Sequence, residues 1–191
     1  MTQKLNPNSQ STKNYLLAID NGTQSIRALL FDLQGELVGK SKIDIDPYFS
    51  KQPSWAEQEV DYYWKMLCQA CHELWQSLVP LNIKKSQIKA ASLTCQRATM
   101  VNLDKDGLPL RPAIVWLDQR QQDNVDKMSW HWRALFFLAG ESQTINHFRS
   151  QAEANWIKHQ QADIWEKTDK YMLLSGYHSF KLTGNFVDSI S

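Results

Sequence analysis

The sequence predicts an α/β domain built on a mixed sheet, in which an antiparallel three-strand meander is extended by parallel strands and helices lie on both faces. Three observations carry this. Two apolar runs of strand length, Tyr15 to Ile19 and Ile26 to Phe31, flank a short polar turn with a glycine and two hydroxyls. Farther on, Val60, Trp64, Leu67, Cys71, Leu74, Trp75 and Leu78 recur at helical spacing until Pro80, a stripe suited to covering a sheet. Ile88 to Thr94 then reads as a short central strand, small residues included, that delivers Cys95-Gln96-Arg97 to its C-terminal edge, where open α/β sheets hold ligands.

The remaining elements follow in order. Met1 to Asn14 is almost wholly polar and reads as a flexible extension without chemistry, leaving residues 15–191 as the folded domain. Asp32-Leu33-Gln34-Gly35 is a turn, and Glu36 to Ile45 continues as the third strand of the meander. Asp46 to Gln58 is a loop with two prolines that closes before the long helix. Met100 to Leu103 and Pro112 to Trp116 flank Asp104-Lys105-Asp106-Gly107 as a second hairpin. Gln121 to Ala139 reads as helical with an irregularity near Ser129, and Gly140 ends it. Ala152 to Gln161 and Lys170 to Leu182 read as further helices, with Leu182-Thr183-Gly184-Asn185 as the closing turn.

Composition limits the function. The chain has 191 residues, 42% of them hydrophobic and 21% charged, enough to bury a core. A net charge of +1 favours neither nucleic acid nor an anionic membrane surface. No apolar run approaches the length of a membrane span, and the N-terminus lacks the apolar core of a secretion signal, so a cytoplasmic location is expected. Cys68, Cys71 and Cys95 are too few and wrongly spaced for a disulfide framework. Cys68-x-x-Cys71 falls inside the long helix with no second pair to complete a zinc site.

The chemistry centres on Asp20 to Arg27. A carboxylate at the end of a strand, followed by Gly22 and Thr23, suits a nucleotide: glycine lets backbone approach a phosphate, Thr23 and Ser25 offer donors, and Asp20 can hold Mg2+ directly or through water. An ordinary tight turn is the competing reading. The stretch resembles the first phosphate loop of the sugar kinase, heat-shock ATPase and actin superfamily. Taken with Thr94-Cys95-Gln96-Arg97, Leu103-Asp104-Lys105-Asp106-Gly107, Trp116-Leu117-Asp118-Gln119-Arg120 and Leu182-Thr183-Gly184, the chain from Tyr15 to Ser191 resembles the N-terminal domain of the FGGY carbohydrate kinases.

That resemblance implies a ribonuclease H-like, actin-like ATPase domain that phosphorylates a hydroxyl of a sugar or sugar alcohol with ATP and Mg2+. It places Asp20 at the metal position and Gly22, Thr23, Gln24 and Arg27 around the phosphates, with Gln24 where the family more often carries a second hydroxyl. Gln96 and Arg97 match the substrate-reading segment. Members acting on glycerol follow the arginine with a glutamate; Ala98 stands there in this chain, which points to a larger sugar or polyol. Trp116 matches an aromatic lying against the carbon side of the substrate, and Phe148 one that lines the pocket. Plain packing is the competing reading for Trp116, and a surface salt bridge for Arg97. Asp118 either touches substrate or pairs with Arg120 to hold the loop.

The family's general base, an Asp beyond Ser191, and most of the adenosine pocket are expected outside this chain, which alone is expected to turn over poorly and to pair with itself through exposed apolar surface. A non-catalytic sugar-sensing or interaction module on the same fold is the alternative. A heat-shock or actin-type ATPase accounts for the first hairpin but not for Gln96-Arg97 or Trp116-x-Asp118-x-Arg120.

Overall fold

The computed structural model describes residues 13–188, so the polar extension expected at the N-terminus lies almost entirely outside the described residues. Two compact units emerge: residues 13–46 with 65–95, and residues 47–64 with 96–188. The strands are β1 (Tyr15–Asn21), β2 (Ser25–Asp32), β3 (Leu37–Asp44), β4 (Glu57–Gln58), β5 (Ile88–Cys95), β6 (Met100–Leu103), β7 (Ala113–Ile114) and β8 (Lys170–Leu173). The helices are α1 (Val60–Leu78), α2 (Trp130–Leu138), α3 (Ser142–Gln151), α4 (Glu153–Gln160), α5 (Ala162–Lys167) and α6 (Leu174–Thr183).

The first unit holds a four-stranded sheet in the order β3-β2-β1-β5. β1 runs antiparallel to β2 and parallel to β5, as the meander plus one parallel strand requires. Alternation along the strands separates two faces. Tyr15, Ile19, Ile26, Ala28 and Leu30 are buried on one, where α1 also buries Leu67, Ala70, Leu74 and Leu78. β3 meets the helix closely. A Cβ on Gly39 would stand 2.7 Å from Leu78 Cδ2, and Ser41 Oγ donates to the Ala70 carbonyl at 2.5 Å. Asp20, Arg27, Lys42 and Thr94 point to the opposite face.

The second unit carries an antiparallel sheet in the order β4-β7-β6-β8. Its second hairpin is weaker than expected: β6 and β7 share a single pair, Met100↔Ile114, although the Asp104 turn forms, with Asp104 Oδ1 accepting from the Asp106 and Leu108 amides and Gly107 at a φ of 78°. The helix expected over Lys170 to Leu182 is corrected. Lys170–Leu173 is strand β8, paired in full with β6, and the helix begins only at Leu174. Val101 and Leu103 of β6 are fully buried, and a partner on that side satisfies their backbone groups. Of the helix expected over Gln121 to Ala139, only α2 forms; residues 121–129 are irregular. Helices α3 and α5 add to the expected elements, and neither buries a residue. Local apolar periodicity is absent there. α6 ends where expected, on Gly184 at a φ of 76°.

His178 on α6 is fully buried, and neither ring nitrogen has a hydrogen-bond partner among the described residues. Burial pulls its pKa down to about 4. The unfolded chain takes up this proton near the ordinary pKa of about 6.5, the folded chain only near the lowered one. Stability contributed by neutral His178 is therefore complete above that ordinary value and is lost as pH falls from it toward the lowered one, by about 3 kcal/mol over the window. Urea unfolding at a series of pH values should show this slope in the native chain, and His178→Leu should flatten it.

Candidate functional site

In the first unit the site begins at the end of β1. Gly22 donates its amide to the Ser25 carbonyl at 3.0 Å, closing the turn, and a Cβ at Gly22 would stand 3.3 Å from that oxygen. Asp20 pairs with Arg27 on β2 and with Thr94 on β5, so all three side chains project from one face at one level. Arg27 Nη1 donates to Asp20 Oδ2 and Thr94 Oγ1 to Asp20 Oδ1, each at 3.1 Å. Both members of the ion pair are substantially exposed, so it orients the carboxylate more than it stabilises the fold.

Beside the turn lies a shallow cavity of about 320 Å³ lined by Gly22, Thr23, Gln24, Ser25, Arg27, Lys42 and Asp44. Its hydroxyls and cations suit an anionic oxygen. No group of three or more metal-ligating side chains occurs among the described residues. The carboxylate of Asp20, at the edge of this turn, would suit Mg2+ as that ion is held in phosphate sites, by one or two carboxylates with the rest of the shell from phosphate and water. Lys42 and Asp44 belong to no motif in the sequence; strand register across the sheet brings them in. Asn21, next in the chain, is fully buried with neither amide atom partnered among the described residues.

In the second unit Gln96 donates from Nε2 to the Tyr63 hydroxyl at 3.0 Å, while its Oε1 is buried without a partner among the described residues. Burial pushes the Tyr63 pKa up. Arg97 is exposed. Ala98 sits at a φ of 49°, a left-handed conformation that a Cβ disfavours, directly in the segment matched to substrate reading. Trp116 is half-exposed, and Phe148 stands on α3 with its ring beside His147.

Asp118 is committed elsewhere. Its Oδ2 accepts from the Ala56 amide and from Arg120 Nη2, both at 2.6 Å, and its Oδ1 from Arg120 N at 2.9 Å and Nε at 2.7 Å. Arg120 also pairs with Glu57 at 3.0 Å, and Arg111 binds the same Glu57 oxygen. The Arg120 guanidinium lies over the rings of Trp55 and Trp156, 4.1 and 4.6 Å from their centroids. Of the two readings of Asp118, the geometry supports the loop-holding pair. Cys71 lies half-buried on α1, and burial pushes its thiol up to about 11, away from a reactive thiolate.

Two changes test this geometry. Asp118→Ala leaves Arg111 and Arg120 sharing one carboxylate in a buried cluster and should cost about 3–5 kcal/mol in urea unfolding. Ala98→Gly relieves the left-handed conformation and should raise stability by about 0.5–1 kcal/mol, read as a higher Tm.

Residues 15–191 match the model of the FGGY family of carbohydrate kinases, N-terminal domain. A glycerol kinase of Malacoplasma penetrans is 30% identical over 167 residues, covering 87% of this chain and 32% of that one. Among solved structures, xylulose kinase from Rhodospirillum rubrum aligns with a TM-score of 0.69 at 21% identity, covering 91% of this chain and 35% of that one. Plasmodium falciparum glycerol kinase, solved with ADP, aligns with a TM-score of 0.62 at 21% identity, covering 91% and 35%. The chain thus spans about a third of the length of the relatives it matches. The structural likenesses show the actin-like ATPase fold of the sugar kinases, and the match over nearly the whole chain shows the rest: this chain belongs to the FGGY family of carbohydrate kinases.

Proposed function

We propose that the protein takes part in ATP- and Mg2+-dependent phosphorylation of a hydroxyl of a sugar or sugar alcohol in the cytoplasm, this chain supplying the phosphate turn and part of the sugar site. The observation that carries the reading is the Asp20 carboxylate held between Arg27 and Thr94 at the mouth of a turn closed by Gly22. ADP in a glycerol kinase of the same fold supports the choice of nucleotide.

Phosphoryl transfer asks a protein for positioning and charge neutralisation more than for covalent chemistry. Asp20 would hold Mg2+, whose role when bound is to neutralise phosphate charge. Arg27 contributes a fork of donors within reach of the same cavity, Gly22 keeps the backbone free of a side chain there, and Thr23 and Gln24 add polar contacts. In the sugar site Arg97 donates a fork of hydrogen bonds to neighbouring hydroxyls, and Gln96 keeps an acceptor, Oε1, that lacks a partner among the described residues. Trp116, half-exposed, offers an aromatic face to the carbon side of the substrate, and Phe148 an exposed ring for its rim. Asp118 acts through Arg120, holding the loop that presents Trp116. With Ala98 in place of a carboxylate, a small triol loses an acceptor, and a larger sugar or polyol is the expected substrate. None of these residues is assigned as general base, so the chain alone should turn over poorly.

A thermal-shift panel of polyols and ketoses tests the reading, since a ligand that binds only the folded state raises Tm with its concentration. One compound should shift Tm by several degrees, Arg97→Ala should abolish that shift, and purified chain should release ADP from ATP and that compound only slowly. ATP hydrolysis at an ordinary enzymic rate without any sugar, or sugar binding indifferent to Arg97, would sink the proposal. Binding of a sugar with no effect of ATP or Mg2+ would favour the non-catalytic module.

A further inference from the structure

Lys42 lies outside every motif that the sequence offers, yet strand register places it at the phosphate turn. It pairs with Arg27 across β2 and β3, Arg27 pairs with Asp20 across β2 and β1, and Asp20 with Thr94 across β1 and β5. Lys42, Arg27, Asp20 and Thr94 therefore form one row across four strands on one face. Directly opposite residues have Cβ atoms roughly 5 Å apart, and two like charges so placed destabilise a sheet. Here the cations are tethered separately, Arg27 by Asp20 at 3.1 Å and Lys42 by Asp44 at 2.6 Å. Both line the cavity beside Gly22, Thr23, Gln24 and Ser25. Two cations, each with a carboxylate tether, thus face one polar cavity that also offers hydroxyl donors.

We propose that Lys42 is a second phosphate-binding cation, which exchanges its tether to Asp44 for a phosphate oxygen when a polyphosphate enters beside Arg27. The inference rests on the phosphate-turn reading above and adds to it a residue from β3. Ammonium and guanidinium divide the work by their chemistry. Arg27 offers a planar fork whose orientation Asp20 sets, whereas Lys42 offers a mobile point charge that can follow the anion. Asp44 competes with the ligand for Lys42, so it weakens anion binding while keeping the empty site near electrical balance. The occupant is a phosphate group, either the terminal phosphate of a polyphosphate chain or free orthophosphate. The polyphosphate is favoured because two cations side by side can each take oxygens of a chain.

The test is calorimetric titration of the 191-residue chain with sodium tripolyphosphate, and separately with orthophosphate, at low ionic strength with EDTA present. Lys42→Ala should weaken tripolyphosphate binding by about five- to tenfold, and Lys42→Arg should restore it to within about twofold. Asp44→Asn should tighten it by about threefold or more. Lys40→Ala is the control: it removes the same charge two residues along the strand, opposite Leu29 and outside the cavity, and should change binding by less than about twofold. Orthophosphate should bind more weakly than tripolyphosphate; equal affinity would overturn the polyphosphate assignment. Equal losses from Lys42→Ala and Lys40→Ala, or weaker binding in Asp44→Asn, would overturn the role of Lys42. Binding that is lost in Arg27→Ala but kept in Lys42→Ala removes Lys42 alone. No binding by the native chain removes the phosphate-turn reading itself, and this inference with it.

Discussion

The placement of β1 between an antiparallel and a parallel neighbour is the constraint on which the arrangement around Asp20 depends. An isolated hairpin of β1 and β2 would present Asp20 and Arg27 on a marginal two-strand ribbon. Adding β5 on the other side buries the strand, gives its second row of backbone groups partners, and brings Thr94 Oγ1 against Asp20. The carboxylate then has donors on both flanks and little freedom to turn. Pre-orientation of this kind fixes the direction of the carboxylate before any ligand arrives.

A different constraint shapes the second unit. Glu57 on β4, Asp118, Arg111 and Arg120 are all buried, and two carboxylates face two guanidinium groups. Burying so much charge gains little net stability unless each member is paired, but it makes departures from the native arrangement costly. The cluster ties the Trp55-Ala56-Glu57 segment to the loop after β7 through the Ala56 amide and Asp118. Arg120, capped by two tryptophan rings, turns what a motif alone could present as a substrate contact into the anchor of the loop that carries Trp116.

Legibility from sequence followed the range of the interactions. The meander, α1, β5 and the Gly184 stop were visible because each rests on local periodicity or on a residue with a special backbone conformation. Lys170–Leu173 was not. Four residues of mixed character form a strand only because β6, whose apolar residues are buried, offers a register for them. The irregular stretch before α2 and helices α3 and α5, neither of which fully buries a residue, lack a long apolar stripe to announce them. At the candidate site, Asp20, Gly22, Thr23, Gln24 and Arg27 form one contiguous stretch and Thr94 opens a second quoted segment, whereas Lys42 and Asp44 belong to no motif and are joined to the rest only by pairing.

The sequence by itself determined the candidate groups, a carboxylate, a glycine and hydroxyls at one strand end and an arginine after another, together with the family to which the chain belongs. Such features are local, set by residue type and spacing. The tertiary structure alone decided which groups face one another. It gave Asp20 its two donors, committed Asp118 to Arg120 instead of leaving it open, held Ala98 in a left-handed conformation and set Lys42 beside Arg27. The donors to Asp20 and the neighbourhood of Lys42 and Arg27 depend on register between segments far apart in the chain, and no local preference encodes a pairing between distant strands.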